Sequence, residues 1–199
     1  MDGNAFAPLK LNHLYTHEMM LCQRGMEIRE GSGEKGFFQI RLKSTPPAAT
    51  KIENGGITSI GLATRKVFLG GELGLSLEAI AWARLPNGSC KIFCSKDLVI
   101  IPEIGERGRY CTANIHPWHQ NSGELVYILD APNFLVGDTL GLLVDCSDKP
   151  TLIFVKNGVL VDKLVMAQTA HGKVLFPAFG RKTQQRIDMC FSNSVVPVL

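Results

Sequence analysis

Thr151-Leu152-Ile153-Phe154-Val155-Lys156-Asn157-Gly158-Val159-Leu160 is the stretch that decides the fold. It joins two β-branched, apolar runs through Asn-Gly. Both residues of that pair tolerate φ > 0, as a type I′ turn demands, so the segment reads as a complete β-hairpin. Two further Asn-Gly pairs, Asn54-Gly55 and Asn87-Gly88, punctuate similar runs.

Working outward, short β-type runs recur at close spacing between Gly, Pro, Asn and Asp. Phe37 to Leu42 places Phe38, Ile40 and Leu42 on one face, with Gln39 and Arg41 opposite. Ile57–Ala63, Glu78–Arg84, Ser89–Cys94, Leu125–Leu129 and Thr139–Asp145 follow. Then come Thr151–Val155, Val159–Val165, Val174–Phe179 and Arg186–Phe191. Gly71 to Leu85 could be drawn as an amphipathic helix, but Gly71, Gly74, Ile80 and Trp82 favour a loop followed by a strand. Many strands without a long helix predict an all-β chain of two packed antiparallel sheets.

With 199 residues, the chain has the length of one such domain. We expect a single unit over 1–199, with 1–36 supplying lead-in strands. Ser95 to Glu124 breaks the rhythm with Pro102, Gly105, Gly108, Pro117 and Gly123. It is expected to be an inserted loop, carrying at most one extra edge strand.

Several segments, in order, resemble the SPRY domain family. Ser59-Ile60-Gly61-Leu62-Ala63 is similar to its early "IGVA" strand, and Ala81-Trp82-Ala83-Arg84 before Asn87-Gly88 to its "SWG" strand and turn. Phe134, Gly137-Asp138-Thr139-Leu140-Gly141 and Asp145 resemble "F-x-x-GD-x-IG-x-x-x-D". Ile153 to Gly158 resembles "I-x-F-x-x-NG", and Leu175-Phe176-Pro177-Ala178 resembles "LYPA". Ala83 departs from the usual Gly after Trp, and the 95–124 stretch has no counterpart in the pattern. The resemblance spans about Phe37 to Phe191. It implies a SPRY-type bent two-sheet antiparallel β-sandwich, a concanavalin-like jelly roll, that binds a peptide or protein surface through loops at one edge. It implies no catalytic residues and no cofactor. These motifs carry architecture; the binding loops vary among members.

The chemistry-bearing residues test that expectation. Cys90, Cys94, Cys111, His116 and His119 lie close enough in sequence to suggest zinc ligands. Against zinc, Cys90, Ile92 and Cys94 alternate onto one strand face, as buried thiols do. His116-Pro117-Trp118-His119 is also shorter than the usual His-x₃₋₅-His spacing. Cys111 could pair with His116 or His119 as a thiol nucleophile, but no recognisable nucleophile signature surrounds them. Gly70-Gly71-Glu72-Leu73-Gly74 lacks the Lys-Ser/Thr of a phosphate loop. The expectation is therefore a non-enzymatic adaptor or scaffold module. A metal-dependent or thiol enzyme built on the Cys/His cluster is the alternative.

Net charge is +3, with the basic residues scattered, so no basic stripe interleaved with aromatics marks a nucleic-acid groove. No signal peptide or spanning apolar run stands in the sequence, and Asp2 follows Met1 where myristoylation needs Gly. A soluble, cytoplasmic protein with reduced cysteines is expected, with a protein or peptide partner. No membrane, nucleic acid or small-molecule substrate is anticipated. Tyr110, His116, Trp118 and His119, flanked by Arg107 and Arg109, are the candidate partner-binding residues, because Trp, Tyr and Arg dominate binding hot spots. Arg65-Lys66, directly after the Ile57–Ala63 strand, forms a second candidate loop. Trp82 is expected in the core.

Overall fold

The computed structural model describes residues 18–21, 25–42, 57–66, 78–85, 88–100, 108–112, 125–181 and 187–192. Their strands are β1 (Glu18–Leu21), β2 (Met26–Glu27), β3 (Lys35–Leu42), β4 (Ile57–Ala63), β5 (Ala79–Arg84), β6 (Cys90–Ser95) and β7 (Gly108–Thr112). They continue with β8 (Leu125–Ala131), β9 (Thr139–Asp145), β10 (Thr151–Lys156), β11 (Val159–Val165), β12 (Val174–Arg181) and β13 (Ile187–Ser192). A single 3₁₀ turn, Gln168–Ala170, interrupts them among the described residues.

Two antiparallel sheets result. The larger runs β1-β12-β4-β5-β6-β8-β7, with β2 also on β12; the smaller runs β11-β10-β9-β3-β13. The expected all-β, two-sheet architecture is present. The β10–β11 hairpin closes through Asn157 (φ 52°) and Gly158 (φ 80°), the left-handed pair its Asn-Gly predicts. Gly88 (φ 84°) serves the β5–β6 turn in the same way, and its N–H meets the Leu85 carbonyl at 2.9 Å. Asn54-Gly55 and the loop over 71–77 lie outside the described residues.

Period-two alternation supplies the core between the sheets. Ile60 and Leu62, Ile80 and Trp82, and Cys90, Ile92 and Cys94 project from the larger sheet. They meet Phe38, Ile40, Leu42, Leu140, Leu142, Leu152 and Phe154 of the smaller one. Trp82 is fully buried, edge-on to Phe134 (5.4 Å) and Phe154 (6.4 Å), and its indole N–H has no acceptor among the described residues.

Strands β9 and β10 are buried on both faces, which is why their sequences read as apolar runs rather than alternating ones. On the outer face Leu143, Ile153 and Val155 cluster with Phe37. A Cβ on Gly141 would stand 3.0 Å from the Phe37 ring, so glycine makes room for that ring. Gly61 is under a stronger constraint, because a Cβ there would collide with the Ile80 carbonyl of the neighbouring strand.

The expected inserted loop needs a correction at its start. Ser95 is the last residue of β6, and Leu98 and Val99 are buried in the core. Val99 bridges to Met166, while the Ile100 N–H meets the Val165 carbonyl at 2.8 Å, so this stretch crosses to the edge of the smaller sheet. Apolar side chains at 98 and 99 bind it there, despite the irregular sequence that follows. Strand β7 stands within the same stretch as an edge strand of the larger sheet.

Candidate functional site

Two loop candidates emerge from the sequence, and the register relates their anchor points. Ala63 pairs with Ala79, Ile80 with Cys94, Ser95 with Val126, and Leu125 with Thr112. The turn at Arg65-Lys66 and the connection from Thr112 to Leu125 therefore leave the same end of the larger sheet. From β4 to β7 there are four strand steps, or roughly 19 Å at the usual inter-strand spacing. Gly108 pairs with Leu129 at the opposite end, so the residue before it, Arg107, attaches away from the other candidates.

Arg65 and Lys66 are both exposed. Their turn is held from below: the Thr64 hydroxyl donates to Glu78 Oε2 (2.7 Å) and accepts the Lys66 N–H (3.2 Å). The Thr64 N–H meets the Glu78 carbonyl at 2.9 Å. The Arg65 guanidinium lies 4.8 Å over the Phe176 ring, which fixes where its charge is presented. Arg109 and Tyr110 stand in β7, in register with Ile128 and Tyr127. Arg107, His116, Trp118 and His119 lie outside the described residues.

The thiols have a different setting. Cys90 and Cys94 point into the core, as alternation predicts, and burial pushes the Cys94 thiol far above its ordinary value, with Asp162 adding to the effect. Cys146 is also buried and shifted upward, first by desolvation. A thiol so disfavoured as thiolate is a poor nucleophile and a poor metal ligand. Among the described residues, no group of three His, Cys, Asp or Glu side chains is placed to hold a metal ion. No helix among them is long and apolar enough to cross a membrane.

At the other end of the sandwich a polar clamp joins two of the quoted motifs. Asp138 accepts the Leu135 N–H at Oδ2 (2.7 Å) and the Asn157 amide at Oδ1 (2.7 Å), and Lys156 Nζ stands 3.0 Å from Oδ2. Asn157 Oδ1 in turn accepts the Thr139 N–H (2.8 Å), and Lys156 Nζ donates to the Asn133 carbonyl (2.6 Å). Burial pushes the Asp138 carboxyl up, but the bonds from Asn157, Leu135 and Lys156 outweigh it and hold the group below its ordinary range. The clamp stretches the 132–138 loop across the sandwich end and seats Phe134 against Trp82, with the Arg84 guanidinium 4.6 Å over the Phe134 ring.

Sequence reading gave Gly137-Asp138 only an architectural part in a motif and missed that the Asp138 carboxylate grips the Asn157 turn. The signal was present: a turn acid directly before β9 and a turn amide directly after β10, two neighbouring strands.

No protein-family model matches the chain, and no curated protein matches it. Among solved structures, it is similar to a human SPRY domain at TM-score 0.52 and 12% identity, covering 96% of this chain and 99% of that one. It also aligns with the TRIM65 PSpry domain (TM-score 0.46, 10% identity, 87% and 70% coverage). A third match is the Emp46p carbohydrate recognition domain (TM-score 0.47, 10% identity, 90% and 79% coverage). The first of these shows a shared fold over nearly the full length of both chains.

Proposed function

We propose that this chain is a SPRY-family interaction module, a non-enzymatic adaptor that binds a peptide or protein surface. The observation that carries the reading is the fold shared with a human SPRY domain over nearly the whole of both chains. The ordered sequence motifs support it, because Phe134, Gly137-Asp138 and Asn157-Gly158 are residues that build this sandwich. Within the family, Ser59 to Leu69 and the chain length resemble SPRY domain-containing protein 7. Cys90 and Cys94 deep in the core weaken the alternative of a thiol or metal enzyme. The proposal includes a soluble, cytoplasmic protein that needs no cofactor.

In this reading the binding surface is formed at the end that carries Arg65 and Lys66, together with the 113–124 connection and its His116, Trp118 and His119. Arg109 and Tyr110 would extend it along the β7 edge, and Arg107 would serve a contact at the far end of that strand. The exposed guanidinium of Arg65 and ammonium of Lys66 suit a partner with acidic residues.

The test uses the pairing of Thr112 with Leu125. Replacing 113–124 by a two-residue Asn-Gly turn joins β7 to β8 without disturbing β6, Leu98 or Val99. Proximity labelling in cells should then lose the partners that the parent chain marks, and Trp118→Ala should reproduce the loss. An unchanged labelling profile from a folded variant would exclude the 113–124 connection from the binding surface.

A further inference from the structure

Asn157 and Gly158 form the exposed turn between β10 and β11. Asparagine is a thermolabile residue, and it is most open to backbone attack where glycine follows, because no Cβ shields the glycine nitrogen. A Cβ on Gly158 would meet nothing within 4 Å, and no hydrogen bond among the described residues holds its N–H. The nucleophile for such an attack is therefore free.

The electrophile is restrained. The Asn157 amide donates to Asp138 Oδ1 (2.7 Å), and its own Oδ1 accepts the Thr139 N–H (2.8 Å). The Asn157 backbone N–H donates to the Thr139 carbonyl (2.8 Å). Attack on the amide carbon pyramidalises it and turns Oδ1 and Nδ2 out of the plane in which those bonds hold them. A closed clamp thus opposes the reaction, and an open one permits it.

In the open turn the Gly158 nitrogen bonds to the Asn157 side-chain carbonyl carbon and gives up its proton. The Cγ–Nδ2 bond breaks, and ammonia leaves with that proton. Water then adds to the cyclic imide. Cleavage at the side-chain carbonyl gives aspartate; cleavage at the backbone carbonyl gives isoaspartate, with the chain rerouted through the former side chain. The sum is amide plus water to carboxylate plus ammonium.

Neither product restores the clamp. Aspartate puts a carboxylate oxygen where the amide N–H met Asp138, and like charges at hydrogen-bond distance repel. Lys156 is already engaged by Asp138 Oδ2 and the Asn133 carbonyl. Isoaspartate adds a backbone atom to a two-residue turn, whose register sets Lys156 opposite Val159.

We propose that Asn157 is a self-modification site and that the Asp138 clamp is its one-way latch. Closed, the latch protects the amide; once the amide is lost, it does not close again. No enzyme and no partner is required, so the converted fraction records how long the clamp has stood open. Conversion unfastens the 132–138 loop from the β10–β11 turn and leaves Phe134 to its packing against Trp82 and Arg84.

The test incubates the full chain at neutral pH, with and without unfolding urea. Peptide mass spectrometry and isoaspartate detection read the conversion at each Asn-Gly pair. In urea, Asn54, Asn87 and Asn157 should convert at similar rates, since each precedes glycine in an open chain. Without urea, Asn157 should fall behind its own rate in urea by about tenfold or more, the scale of one charge-assisted hydrogen bond. Asp138→Ala should restore most of that rate. Asn157→Asp makes the aspartate product directly and should lower the melting temperature by about 4 °C or more. Adding Asp138→Asn exchanges donor and acceptor across the clamp and should recover part of the loss. Equal rates at Asn157 with and without urea would overturn the proposal. So would a folded Asp138→Ala chain whose Asn157 stays as slow as the parent's, or an Asn157→Asp chain that melts like the parent.

Discussion

The two ends of the sandwich carry their turns in opposite ways. At the clamp end, one loop is closed by a carboxylate accepting hydrogen bonds, by an amide acting as donor and acceptor, and by a phenylalanine buried beside Trp82. At the other end, the Arg65-Lys66 turn hangs from one threonine and leaves both residues exposed, with Arg65 resting over the Phe176 ring. Energy stored in buried packing and mutually satisfied polar groups fixes geometry. A turn held through one threonine keeps its two cations at the surface, where they can meet something else. The same sheets thus support an end whose residues build the fold and an end whose residues can be spent on recognition.

Phe134→Ala should give the largest effect. The ring is fully buried, edge-on to Trp82, and removing it leaves a cavity at the mouth of the core. Truncations of this kind cost about 3–5 kcal/mol. Urea denaturation should show a lowered midpoint with little change in slope. A loss under about 1 kcal/mol would mean that the ring is replaceable and that the clamp alone holds the loop.

Asp138→Ala comes next, at about 2–3 kcal/mol, because it leaves the Leu135 N–H and the Asn157 amide without their acceptor and Lys156 without its ion-pair partner. Acid should have a related effect. Asp138 is held below its ordinary value, and Asp145 at about 2, where its burial is outweighed by the Ser147 and Lys35 contacts. A depressed carboxyl binds fewer protons in the folded chain than in the unfolded one. Its stabilisation is therefore complete above the unfolded value of about 4 and fades as pH falls through the folded value. For Asp145 that window runs from about 4 down to about 2. Melting temperature should drop across this range, and Asp138→Asn should flatten part of the drop while costing stability at neutral pH.

Asn157→Ala should cost about 1–2 kcal/mol, since alanine resists φ 52° and drops both side-chain bonds. Asn157→Gly relieves the backbone but not the bonds. The difference between the two, read from thermal melts, separates turn strain from the clamp.

This contrast also explains what the sequence could reveal. Hairpin chemistry at Asn157-Gly158 and alternation in Phe38, Ile40 and Leu42 are local signals, and local signals predicted the sheets and most of the core. Leu98 and Val99 were misjudged because their reason for burial is long-range: they pack across to β11, while their own neighbours in sequence look like a loop. The clamp was half visible, because each motif announces a turn but neither says that the two turns touch. The residues proposed for recognition are the least legible of all. Arg65 and Lys66 satisfy no pattern, and an exposed cation reads the same whether it meets a partner or only water.

The smallest effects on stability should come from those same two residues, and they divide recognition from architecture most sharply. Arg65→Ala removes one exposed cation–π contact with Phe176, worth about 0.5–1 kcal/mol, and Lys66→Ala should lie within experimental error. If this end recognises a partner, Arg65→Glu with Lys66→Glu should remove labelled partners while leaving the melting temperature nearly unchanged. Salt should act in parallel, because contacts between exposed charges are screened over about 8–10 Å. A double variant that melts like the parent and captures every parental partner would leave this turn as solvated surface. One that loses capture only because it unfolds would show that Arg65 belongs with Phe134, among the residues that build the sandwich.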